Sequence, residues 1–212
     1  MTTNWPGYGR YLGTYERDSR KMNGVLYQMC SDMPLHTDEG DVWAKAWIIG
    51  RSYASGIERH AADGLKPVVG VLRRSAPWLD QGLAALRKFD PPEPTHAGLP
   101  EIAALHGRLS HALAKCTRDG NQVRSFVAKY LHFHAPVVPK NDSSVGSQVR
   151  ARGWYPWRRA WTTQHPTPAG ADGEYWRHCV RIAFLAEDWR AEGLDPTARK
   201  IDTYVYSRVK EK

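Results

Sequence analysis

Asp142 is the one acidic residue between Asn121 and Trp161, a stretch that carries Arg124, Lys129, Lys140, Arg150, Arg152, Arg158 and Arg159. A lone carboxylate among cations is badly placed to balance surface charge. It is well placed to act on an anionic polymer that the cations hold. Such a carboxylate can stabilise positive charge growing on a sugar ring as a base-to-sugar bond breaks, and can orient or deprotonate the attacking water. Lys140, two positions earlier, is a nucleophile if its pKa is lowered and otherwise a solvated or phosphate-binding cation. The plain reading of Asp142 is a helix N-cap, a position Asp favours, where the helix dipole also favours the ionised form.

A base inside duplex DNA must be extruded before such chemistry can reach it, which calls for phosphate-binding cations and flat surfaces that stack. Trp154, Tyr155 and Trp157 lie among Arg150, Arg152, Arg158 and Arg159 and supply both. The alternative is that Trp154, Trp157 and Trp161 are core residues, as most tryptophans are well buried. Lys129 reads as the surface of an amphipathic helix or a DNA contact. Arg51 and Arg59, eight residues apart, read as a second phosphate contact or as solvated charge.

Composition agrees with a globular, basic protein. The 212 residues are 42% hydrophobic and 25% charged, with a formal charge of +8 that favours an acidic partner. No apolar run of about 18 residues predicts a membrane span, and Met1-Thr-Thr-Asn-Trp-Pro-Gly7 has no apolar signal core, so the expectation is an intracellular, cytoplasmic protein. Cys30, Cys116 and Cys179 are too few and too far apart for a disulfide framework or a cysteine-rich metal site, and reduced, mostly buried thiols are expected. His132 and His134 are the close histidine pair, but i, i+2 spacing splays two rings across a helix, so they read as packing residues rather than metal ligands. No metal or organic cofactor is expected.

The elements that must carry these residues are helical. Met22, Val25, Leu26 and Met29 fall at helical spacing in residues 18–30. Asp41 stands as the N-cap of a helix in which Trp43, Trp47, Ala54 and Ile57 share a buried stripe. Pro77 to Phe89 reads as a short helix, and the proline-rich residues 89–100 as a linker or lobe boundary. Pro100 suits the first turn of a helix running through Ala114, Asp119-Gly120-Asn121 makes a turn, and a second helix runs from about Gln122 to His134. An extended loop, Ala135 to Asn141, then leads to Asp142 at the start of a further helix. After an insertion at 153–173, rich in Trp, Arg, Pro and Gly, helices from Gly173 to Ala191 and, capped by Asp195, from Pro196 to Lys210 finish the chain. No strand pattern, repeat or low-complexity tract is evident.

The run Ser125-Phe-Val-Ala-Lys-Tyr-Leu-His-Phe-His-Ala-Pro136, followed by Val138-Pro-Lys-Asn-Asp142-Ser-Ser-Val, resembles the hairpin-to-aspartate segment of the helix-hairpin-helix DNA glycosylase superfamily. It is most similar to small bacterial members with a Ser-Phe-Ala-Ser-Lys-Tyr helix and a Pro-Ile-Tyr-Asp-Ser loop. The helix Ala44 to Ile57 and the segment Ala198-Arg-Lys-Ile-Asp-Thr-Tyr-Val-Tyr206 also resemble parts of those proteins. The resemblance implies an all-α, two-lobed fold in one domain spanning 1–212, with the hairpin and catalytic segment at 101–152. It further implies Asp142 as the catalytic carboxylate, Gly120, Asn121, Arg124 and Lys129 on DNA beside the arginines above, and Trp47 and Arg51 with Trp154, Tyr155 and Trp157 around the base.

The sequence departs from that pattern in two places. The hairpin has a single glycine, Gly120, where two are common. No lysine stands at Gln122 to Arg124, where members with lyase activity carry their Schiff-base lysine, which implies a monofunctional enzyme. The expected activity is hydrolytic removal of a damaged or modified base from double-stranded DNA by a monomer, in repair or in defence against phage DNA with sugar-modified cytosines. Two competitors stay open. One is a non-catalytic DNA-binding module in which Asp142 only caps a helix. The other is an abasic-site lyase or nuclease that uses Lys140, or a metal held by Asp142.

Overall fold

A computed structural model of the chain describes residues 8–142 and 166–209, apart from 54, 56, 58–60, 62, 90–91, 119 and 121. The described residues form seven α-helices: α1 (Tyr8–Asp32), α2 (Glu39–Ser52), α3 (Lys66–Leu86), α4 (Leu99–Ala114), α5 (Arg124–His134), α6 (Gly173–Ala191) and α7 (Ala198–Val209). A 3-10 turn, His96–Gly98, leads into α4, and a lone antiparallel bridge joins Ala61 to Thr117. The expected all-α class holds.

α5 is the axis of the fold. Every residue from Phe126 to His134 is buried, with α1, α2 and α4 packed around it. A helix buried on all sides must satisfy whatever polar groups it carries. Lys129 and His132 find the partners described below and His134 Nδ1 accepts from Arg87 at 3.2 Å, while the Tyr130 hydroxyl and His134 Nε2 stand without a partner. One large apolar cluster gathers residues from α1 through α5 with the first half of α6, including Leu26, Ile49, Leu72, Leu109, Phe126 and Tyr175. A smaller one lies between α6 and α7, around Trp189, Ile201 and Tyr204.

Several local expectations need correction. In α1 Leu26 and Met29 are buried as expected, beside Asn23 and Cys30, while Met22 and Val25 are 40% and 64% exposed. In α2 the inward line is Val42, Ala46 and Ile49, which leaves Trp43 and Trp47 one step round the helix and exposed. The cap of α2 is Asp38 rather than Asp41: the Asp38 carboxylate accepts from the Asp41 amide at 2.9 Å. Pro77 does not start a helix but lies within α3. It faces solvent, where water can satisfy the Arg73 carbonyl left without its helical donor.

Phe89 and residues 92–95 are irregular before the 3-10 turn, yet one core holds Leu83 and Leu86 ahead of them and Leu99 and Ile102 after them. The segment is also tied to the end of the chain. Glu93 pairs with Arg190, and the Pro92 carbonyl accepts from the Ala198 amide at 3.5 Å. α4 begins as Pro100 requires, and α6 begins where expected, capped by Asp172. α7 starts two residues later than Pro196. Asp195 still serves its first turn, accepting from the Thr197 amide and pairing with Lys200 at 2.5 Å.

Candidate active site

The loop that leads to Asp142 is held by three buried donors on three consecutive carbonyls. His132 Nδ1 donates to Val138 O at 2.7 Å, Tyr175 Oη to Pro139 O at 2.7 Å, and His178 Nε2 to Lys140 O at 2.9 Å. The donors come from α5 and α6, so the loop is clamped between two helices. With its Nδ1 hydrogen committed, neutral His132 accepts at Nε2 from the Tyr27 hydroxyl at 2.5 Å. Burial, with the Lys140 ammonium nearby, holds the His132 pKa well below 6.5, which keeps the ring in that neutral form. The clamp explains why residues 138–140 need no regular secondary structure of their own.

Tyr175→Phe tests the clamp. It removes one donor and leaves Pro139 O buried without a partner. The expected cost is about 1–3 kcal/mol of stability, measured by denaturant titration, together with a drop in any activity that depends on the placement of Asp142. Unchanged stability would mean that the loop is held without this bond.

Beyond the clamp, two ion pairs stand side by side. Asp142 Oδ2 lies 2.9 Å from Lys129 Nζ, and Lys140 Nζ lies 2.8 Å from Asp202 on α7. Tyr53, just past the end of α2, joins the two: its ring lies under both ammonium groups, 5.7 Å from Lys129 Nζ and 5.1 Å from Lys140 Nζ. The Tyr53 carbonyl accepts from Lys129 at 3.2 Å, and its hydroxyl donates to buried Asn23 on α1. Among the described residues two ammonium groups stand against two carboxylates, and burial of that kind is tolerable only when charges are paired. The four groups differ in access. The lysine side chains are each 3% exposed and Asp202 12%, but Asp142 is 31% exposed. A buried, paired scaffold thus presents one carboxylate to solvent.

The structure revises several expected roles. Lys129 is not on the helix surface: it is buried and serves as the partner of Asp142. Lys140 is neither solvated nor turned to a phosphate, since it is buried against Asp202 and the Tyr53 ring. Arg124 is engaged by Asp172 at 2.8 Å, the same carboxylate that caps α6 through the Tyr175 amide. Gly120 has φ +62°, the left-handed conformation expected of the hairpin turn, and its amide reaches Thr117 O at 3.4 Å. Trp47 and Arg51 are exposed on α2, the guanidinium 6.0 Å from the indole centre, and Tyr53 is the α2-end aromatic that meets the partner of Asp142.

Asn121, Arg150, Arg152, Trp154, Tyr155, Trp157, Arg158 and Arg159 lie outside the described residues, as do Ala54, Arg59, Trp161 and the start of any helix that Asp142 would cap. His132 and His134 do pack inside α5, and among the described residues no group of three or more His, Cys, Asp or Glu is arranged to hold a metal. Cys30 and Cys179 are buried, and burial pushes each thiol up to about 12.

Tyr53, Asp202, Tyr175 and His178 went unseen in the sequence. Asp202 and Tyr204 lie in the segment resembling a closing helix, the one hint that α7 completes the site. Comparison of the chain with protein-family models, curated proteins and solved structures gives no match. No helix among the described residues is long and apolar enough to cross a membrane.

Proposed function

We propose that this protein is a monofunctional DNA glycosylase of two-lobed helix-hairpin-helix type, which hydrolyses the bond between a damaged or modified base and its sugar. The observation that carries the reading is Asp142. It is the most accessible member of an otherwise buried, charge-paired cluster, on a loop clamped at three carbonyls, within the most basic stretch of the chain. A fixed carboxylate suits a reaction whose transition state carries positive charge on the sugar, because it needs no reorganisation as that charge develops. The same oxygen atoms can orient the attacking water and take up its proton. Lys129 fixes one carboxylate oxygen from beneath, which sets the direction in which the acid faces.

The burial and pairing of Lys140 support hydrolysis over lyase chemistry. A Schiff base requires an unprotonated amine within reach of the sugar, and this amine is held by Asp202 and screened by Tyr53. The substrate class is double-stranded DNA with a damaged or modified base, sugar-modified cytosines of phage DNA included.

The test is a panel of duplexes carrying deaminated, alkylated, oxidised or glucosylated bases, incubated with the protein in chelator-containing buffer. The expected product is an intact strand with an abasic site that breaks on heating in alkali, and borohydride is expected to trap no protein-DNA adduct. Adduct formation that vanishes in Lys140→Gln would replace hydrolysis with lyase chemistry. Tight binding with no base released from any duplex would leave a DNA-binding module.

A further inference from the structure

The Asp142 carboxylate is placed where the end of α2 meets the middle of α5. Tyr53 closes the C-terminus of α2, its amide reaching back to Ile49 O. Carbonyls at such an end lack intrahelical donors and carry the negative pole of the helix dipole, which favours a cation. The cation is Lys129. Its Nζ donates to Tyr53 O at 3.2 Å and to Asp142 Oδ2 at 2.9 Å.

The Tyr53 ring adds a second restraint. Its centre lies 5.7 Å from Lys129 Nζ and 5.1 Å from Lys140 Nζ, within range of the attraction between a ring face and a cation, which strengthens away from water. The ring is itself pinned. Its hydroxyl donates to Asn23 of α1, a residue 1% exposed, and its centre lies 5.3 Å from that of Phe133 on α5. An ammonium on a flexible stem turns freely unless its surroundings choose a place for it. Here a single residue supplies both a carbonyl acceptor and a ring, and is anchored on α1 and α5.

Balancing the charge of Asp142 needs only a cation nearby. Fixing the direction of its carboxylate needs a cation that is itself fixed. We infer that Tyr53 is a positioning residue for Asp142: by holding the Lys129 ammonium it holds Oδ2, and so limits where the carboxylate can turn. The inference rests on the reading of Asp142 as the acting carboxylate, and Tyr53 takes no part in the chemistry itself. Asn23 acts one step further back, by keeping the ring in place.

Two substitutions separate this role from packing. Tyr53→Phe keeps the ring face and the carbonyl and loses the bond to Asn23, whereas Tyr53→Leu loses the ring as well. Base release from a duplex that the wild type acts on should fall about 10- to 100-fold in kcat in Tyr53→Leu, with KM little changed, the scale expected when a reacting group is displaced by about 1 Å. Tyr53→Phe should keep most of the rate. A second readout needs no DNA. Carbon-13 NMR titration of the Asp142 carboxyl, assigned by its loss in Asp142→Asn, should give the same midpoint in the wild type and Tyr53→Phe. The midpoint should be higher in Tyr53→Leu, because an ammonium that wanders favours the carboxylate less. If the leucine variant fails to fold, Tyr53→Met, whose unbranched chain fills the space without a ring, takes its place. A wild type that releases no base from any duplex would end the glycosylase reading, while the titration still decides whether Tyr53 sets Asp142. An unchanged midpoint in the variant without a ring, or an equal loss of rate in Tyr53→Phe and Tyr53→Leu, would overturn the assignment.

Discussion

Asp142→Asn is expected to lower the rate of base release by about 10²–10⁴-fold, the usual worth of a positioned general base, while affinity for duplex DNA holds or rises. The substitution preserves shape and removes one negative charge from the approach to an anionic polymer, so the electrostatic grip cannot weaken. It also leaves the Lys129 ammonium without its carboxylate. For a fully buried pair that would cost about 3–5 kcal/mol, and less here because Asp142 is 31% exposed and water can screen the remaining charge. Lost activity could therefore come from lost structure. The double variant Asp142→Asn with Lys129→Met separates the two causes, because it restores neutrality. Thermal melts should recover toward wild type while base release stays low. Recovery of base release in the double variant would reduce Asp142 to a structural counter-ion, and full activity in the single variant would remove it from the chemistry.

Gly107→Val is expected to cost at least about 3 kcal/mol of stability, at the severe end of overpacking. A Cβ on Gly107 of α4 would meet Gly170 O at 2.1 Å, Ala171 Cα at 2.7 Å and Asp172 N at 2.9 Å. All three are main-chain atoms, so no side-chain rotation relieves the clash. The 170–172 backbone that would have to retreat carries the cap of α6, and with it the Asp172 carboxylate that holds Arg124. Behind the cap stand Tyr175 and His178, two of the three donors on the Asp142 loop. Chemical denaturation should show a large fall in midpoint, and any folded fraction should have reduced activity. A variant of wild-type stability would mean that α4 and the 170–172 backbone do not touch.

What the sequence made legible follows from which signals are local. Pro100 and the turn at Gly120 act within a few residues of themselves, so α4, the turn and the helix that follows it were predictable near their observed bounds. The exposed Trp43 and Trp47 were misread because a large apolar side chain outweighs Val42 and Ala46 in any periodicity, although it is the smaller residues that are buried. Pro77 was misread because its cost in a helix depends on whether its face meets water, which no local pattern states. Asp142 could be singled out by its isolation among cations. Its surroundings could not: Lys129 looks like any helix-surface lysine until Tyr53 and the Asp142 loop close over it, and Asp202 lies on a helix that packs on α1, at the other end of the described chain, as well as on α6.

The Lys140–Asp202 pair has a consequence for the order of events during synthesis. Asn23, Tyr53, Lys129 and Lys140 all leave the ribosome before Asp202, at about 5–20 residues per second. Until α7 emerges, the Lys140 ammonium has no counter-charge from that helix and no reason to leave water, so the pocket of charge around Tyr53 cannot close early on a partly made chain. Closure therefore depends on a contact distant in sequence, and such contacts form slowly because loop entropy must be lost first. A nascent chain stalled before residue 202 should accordingly be more sensitive to protease near Asp142 than the released protein, and base-removing activity should arise only after translation has passed α7.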